Sequence, residues 1–146
     1  MRTINWILSS VLITAIANIN AQAGTVQDER AAREECSANS EAGMRQCLGK
    51  KASASAAELK MAEEKIRQIL VNWDEDVKYV NLAKSRFEAS NKEFVRYREA
   101  QCAFKASLGG GAIGNALEMQ RLACVFELNS RRTEQIKSAA TDIPLK

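Results

Sequence analysis

The chain has 146 residues, with 21 Lys and Arg against 18 Asp and Glu for a formal charge of +3, four cysteines and no histidine. That balance is too even to argue for nucleic acid or an anionic membrane surface as a partner. The lack of histidine removes the commonest general base, the usual nucleophilic triads and most zinc sites.

The first 23 residues read as a cleaved secretory signal. Arg2 gives a positive start, Trp6 to Ile19 is apolar or small, and Ala21-Gln22-Ala23 forms a small-x-small cleavage site. The apolar run falls short of the ~20 residues of a membrane span, and no cysteine near the cleavage point offers a lipid anchor. The expected product is a single domain, residues 24–146, in the periplasm or outside the cell, with no membrane anchor and a charge of +2 once Arg2 is removed. In that setting four cysteines predict two disulfides, with three possible pairings.

Gly24 to Glu35 is polar, shows no apolar periodicity after Val26, and reads as a frayed or loosely docked start; the ordered part is expected at about 36–140. Cys36 and Cys47 lie eleven residues apart. In one continuous helix they would be ~16 Å apart, whereas a disulfide needs Cα atoms within ~7 Å. If they pair, the chain doubles back at Asn39-Ser40, and one of these two caps a helix starting near Glu41.

From Glu41 to about Asn72 good helix formers dominate, and Leu59, Ala62, Ile66, Ile69, Trp73, Val77 and Val80 recur at steps of three or four as an apolar stripe. Ser53 to Ala57 is compatible with either straight helix or a kink. Asp74-Glu75-Asp76 marks the turn, and an aspartate there caps a second helix predicted over about Asp76 to Leu108. A third is predicted from Asn115 to about Ala139, with Pro144 in the tail. Gly109, Gly110 and Gly111 end the second helix, and Asn115 with Glu118 has the spacing of a capping box for the third. Cys102 and Cys124 are each eleven residues from Ile113, so an antiparallel hairpin sets them side by side and predicts a bridge. Strand signals and internal repeats are absent.

Chemistry finds little support in these residues. No cysteine forms a CxxC pair, and no phosphate-binding glycine motif follows a strand. Glu63-Glu64 and Asp74-Glu75-Asp76 are the only carboxylate groupings, and neighbours on a helix point to different faces. The acidic triplet lacks the glycine and terminal glutamate of a calcium loop. The reading is therefore a protein without catalytic residues, cofactor or metal. Arg96, Arg98, Arg131 and Arg132 form a basic counterpart, read chiefly as solvated charge, with Arg98 in a structural ion pair beside a packed Tyr97. Phe94, Tyr97 and Phe104 read as core.

The run Phe94-Val95-Arg96-Tyr97-Arg98-Glu99-Ala100-Gln101-Cys102, then Gly109-Gly110, then Cys124 with Leu128 and Arg131 or Arg132, resembles the LprI-type lysozyme inhibitor family. That family's pattern is an aromatic residue, Tyr/Phe-Arg, Cys, a Gly-Gly loop, then Cys, Leu and Arg. Phe94 stands where such proteins more often carry Trp, and the upstream Cys36 and Cys47 look like the family's first two cysteines, which favours the pairings Cys36–Cys47 and Cys102–Cys124. The resemblance implies an all-α fold, here three long antiparallel helices stapled by two disulfides, and a lysozyme-like partner whose cleft is blocked. It implies no inhibitory residue. On charge and exposure, Asp74, Glu75 and Asp76, or Gly110 and Gly111 in the loop, are the expected contacts. The competing expectation is an envelope immunity or adaptor protein with a different dedicated partner.

Overall fold

The computed structural model describes residues 26–112 and 114–146; the expected leader lies outside them, as does Ile113, the midpoint in sequence between Cys102 and Cys124. Four helices follow in order: α1 Glu29–Cys36, α2 Glu41–Val71, α3 Val77–Ser107 and α4 Gly114–Thr141. No strand occurs among the described residues. The all-α expectation holds, and the three long helices begin and end within two residues of their predicted limits. Helix α2 runs through Ser53 to Ala57 without a break.

The core is a seam between α2 and α4. On α2 the inward positions Leu48, Ala52, Ser55, Leu59, Ala62 and Ile66 repeat at alternating steps of four and three, and all are buried. On α4 the same alternation runs through Met119, Leu122, Phe126, Asn129, Thr133, Ile136 and Ala140. A 3.5-residue period keeps two seams facing each other along a shallow left-handed supercoil. Partners advance in step along both helices: Leu48 packs with Ala123, Ser55 bonds Asn129, and Ile66 packs with Ile136. Helices α2 and α4 are therefore parallel, and α3 is the antiparallel return between them.

Helix α3 is attached differently. Of its thirty-one residues only Asn91 and Cys102 are buried. Phe87 and Phe94 lean on the lower core beside Leu59, Ala62, Ile66 and Leu70. Ala83 joins them, Asn91 and Arg98 are the polar members of the inward line, and the Arg67–Glu88 ion pair, at 2.7 Å, ties α3 to α2.

The N-terminal segment departs from its expected looseness. Asp28 caps α1, its Oδ1 accepting from the Ala31 amide at 2.8 Å, and Ala32 and Cys36 are fully buried against Leu48 and Ala123. One small alanine and one cysteine on a short helix leave no apolar stripe in the sequence, yet the Cys36–Cys47 disulfide, with Cα atoms 5.7 Å apart, holds that face to α2. The reversal is where the spacing requires it: Ser40 caps α2 through the Gly43 amide, and Asn39 donates instead to the Cys36 carbonyl. The second bridge, Cys102–Cys124 with Cα atoms 5.5 Å apart, joins α3 to α4.

At the hairpin, Gly110 is left-handed with φ 56°, the conformation in which glycine has no Cβ penalty. Gly109 lets the Leu117 side chain pack directly over the backbone, in space that a Cβ there would make it give up. The expected capping box is not made. Helix α4 starts at Gly114, which puts Asn115 inside the first turn, and the Glu118 carboxylate is taken by Arg121 at 2.8 Å on both oxygens. At the opposite end the C-terminal tail folds back on the α2–α3 turn: Trp73 bridges Leu145, the Asp74 amide donates to the Pro144 carbonyl, and the Lys146 amide donates to that of Asn72.

Candidate functional site

The two candidate surfaces, the acidic turn and the glycine loop, are separated by α3. Thirty-one helical residues rise ~46 Å, so Asp74–Asp76 at its start and Gly109–Gly111 at its end occupy opposite poles of one chain. Part of the acidic turn is engaged in folding. Asp76 Oδ1 accepts from the Lys78 amide at 3.0 Å as the cap of α3, and Glu75 Oε1 accepts from the Asp76 amide at 2.8 Å. All three carboxylates are nonetheless exposed.

The glycine pole is open. A Cβ at Gly110 or Gly111 would meet nothing within 4 Å, Ala112 is exposed, and Leu108 is 63% exposed. Four small residues beside one apolar side chain make a narrow tip at the end of the bundle. Two aromatic residues expected in the core stand on the surface of the helix leading to it: Tyr97 is 56% and Phe104 57% exposed. The inward line of α3 runs through Phe87, Asn91, Phe94, Arg98 and Cys102, and at 100° per residue Tyr97 and Phe104 are turned well away from its centre. Only an account of which α3 face meets α4 distinguishes the two aromatic sets.

Arg98 is also placed differently from its expected ion pair. Its Nη1 donates to Asn129 Oδ1 at 2.9 Å, and Asn129 Nδ2 donates to Ser55 Oγ at 3.2 Å, one polar layer through all three long helices. Asn129 is fully buried, so the layer satisfies groups whose burial would otherwise be costly. The Phe94 ring lies 5.7 Å from both the Arg98 and the Arg132 guanidinium. Arg132 then reaches Ser90 and Asn91, at 2.8 and 3.0 Å. The other members of the basic counterpart are paired locally, Arg96 with Glu93 and Arg131 with Glu127.

The carboxylates show no acid–base pair. Glu63 and Glu64 both approach Arg67, at 3.7 and 3.8 Å. Hydrogen bonds from Arg67 and Arg121 hold Glu88 and Glu118 below the usual carboxylate range, and Lys51, then Gln27, do the same for Glu35. Each such shift is accounted for by a structural partner on the surface of the bundle. Among the described residues no group of three or more His, Cys, Asp or Glu could hold a metal ion, and no helix is long and apolar enough to cross a membrane.

Phe94, Arg98, Cys102, the Gly109 turn and Cys124 thus explain one another physically: they fasten α3 to α4. The family model described as lysozyme inhibitor LprI matches residues 31–136, which takes in this fastening, both disulfides and nearly all of α1 to α4. The chain belongs to the LprI lysozyme inhibitor family. Among curated proteins and among solved structures no match is found. LprI is a family of inhibitors and not of enzymes. The LprI match and the two disulfides agree with a place outside the cytoplasm.

Proposed function

We propose that this LprI protein is exported and inhibits a lysozyme-type muramidase by lodging the Leu108–Ala112 tip in the enzyme's cleft. Family membership supports the partner class, and the observation that carries the choice of surface is the open space around Gly110 and Gly111. A muramidase cleft is a concave groove flanked by carboxylates. A narrow tip of glycine and alanine enters such a groove with little loss of side-chain entropy. The acidic turn has a different part to play. A formal charge of +3, or +2 once Arg2 is removed, gives no overall steering toward a cationic enzyme, so Asp74, Glu75 and Asp76 act only where they come close.

Cell-wall lysis by lysozymes of several classes, with and without the oxidised mature protein, tests the reading. At least one class is expected to be inhibited at micromolar excess, and Gly111→Trp is expected to relieve that inhibition with unchanged thermal stability. Failure to inhibit any class sinks the muramidase reading. Full potency in Gly111→Trp moves the contact away from the tip.

A further inference from the structure

Ten large hydrophobic side chains stand exposed among the described residues; six belong to α3 and a seventh, Leu108, caps it. Tyr79, Leu82, Tyr97, Phe104 and Leu108 fall in one sector of that helix at 100° per residue. Their order along it is nearly symmetric. Tyr79 and Leu82 lie near the start, Phe104 and Leu108 near the end, and the exposed Glu93–Arg96 pair, at 2.9 Å, lies at the middle.

We propose that α3 pairs antiparallel with α3 of a second copy about a two-fold axis near Glu93, so that the Asp74–Asp76 turn of each copy lies beside the Gly109–Gly111 loop of the other.

Charge complementarity selects this occupant and this direction. A two-fold interface is self-complementary, and antiparallel pairing sets each helix flank against the same flank of its mate. In this register the two Glu93 carboxylates meet at the axis, each flanked by its own Arg96 and within reach of the mate's, a neutral cluster of two acids and two bases, while Arg86 falls on the mate's small Ala100. In the same register Tyr79 faces Leu108, Leu82 faces Phe104, and Tyr97 falls on the small Ala89 and Ser90. Parallel pairing would instead bring the two acidic turns together. A strip ~46 Å long and about 15 Å wide offers on the order of 700 Å² per copy, close to the ~800 Å² per partner of a standard interface.

The pairing changes what the candidate site is. One chain holds its acidic turn and glycine tip ~46 Å apart, whereas the register that matches the apolar ends puts Asp76 of one copy opposite Gly111 of the other. Each dimer then carries two composite sites, with a carboxylate cluster beside an open tip. Their use on a cationic muramidase rests on the reading given under Proposed function, but the dimer itself does not.

Sedimentation equilibrium of the oxidised mature protein, from low to high micromolar, is expected to show a mass rising to two chains. Glu93→Arg, which gathers like charges at the axis, is expected to weaken association at least tenfold, and adding Arg96→Glu to restore it. Glu93→Cys is expected to give a covalent dimer on mild oxidation, while Lys60→Cys on exposed α2 does not. A single-chain mass throughout, or equal cross-linking from both cysteine variants, overturns the pairing. Glu93→Arg lies far from both poles, so a monomeric Glu93→Arg that inhibits lysozyme at full potency overturns the composite site and leaves the muramidase reading standing. A wild-type dimer that inhibits no lysozyme does the reverse.

Discussion

The α2–α4 seam and the α3–α4 contact are both spaced by threes and fours and fill that spacing with different chemistry. Along α2 the inward line is Leu48, Ala52, Ser55, Leu59, Ala62 and Ile66, all buried. Along α3 it is Phe87, Asn91, Phe94, Arg98 and Cys102, of which two are buried. Burial of apolar area scales with stability and tolerates a simple seam. A polar seam must instead satisfy every group, and here Asn91 Nδ2 and Arg132 Nε are buried without a hydrogen-bond partner. The covalent Cys102–Cys124 bridge supplies what the α3 seam lacks in apolar area. A helix held by a disulfide, two rings and a polar layer is left with most of its surface free to bind.

The largest expected effect is at the seam of α2. Ile66→Ala, at a side chain 5% exposed, is expected to cost about 2–4 kcal/mol in urea unfolding. A loss near zero would mean that α2 and α4 do not carry the core. Removing the second bridge as Cys102→Ser with Cys124→Ser is next, at about 3 kcal/mol for its span of 22 residues. The loss is expected to be uneven: hydrogen exchange should show α3 amides losing protection well before those of α2 and α4. Uniform loss would erase the contrast between the two contacts.

Asn129→Ala leaves the Arg98 guanidinium and the Ser55 hydroxyl without their shared partner and is expected to cost about 1–3 kcal/mol. Arg98→Lys, which keeps the charge and loses the planar fork, is expected to recover little of an Arg98→Ala loss. By contrast, Phe104→Ala is expected to stay within about 0.5 kcal/mol of the parent in thermal unfolding of the single chain, at concentrations below those of the dimer, because its ring is 57% exposed there. A core-sized loss there would return Phe104 to the interior.

Acid titration is expected to give the smallest effect. Glu35, Glu88 and Glu118 have folded pKa values below their ordinary ones, so their contribution is fully present above the unfolded carboxylate value. It is lost as pH falls through the lower folded values. The urea midpoint should therefore stay flat from neutrality to about pH 5 and decline only below it. With no histidine in the chain, a step between pH 6 and 7 would have no side-chain source at ordinary pKa values.

What the sequence determined alone is local. Helix formers without proline, the Asp74–Asp76 turn, the three glycines and the spacing of Cys102 and Cys124 set the limits of α2, α3 and α4 and the second bridge, because caps, breakers and loop lengths act within a few residues. Helix α1 was illegible because two buried small residues make no periodic signal. The tertiary structure alone decided that α2 meets α4 in parallel, that Arg98 joins Asn129 in place of a carboxylate, and that Tyr97 and Phe104 face outward while Phe94 faces in. All four of those α3 residues lie on a periodic helix, and periodicity names a face without naming its partner. That choice is made by complementarity between residues such as Ser55 and Asn129, which lie far apart in sequence and meet only once the helices are side by side.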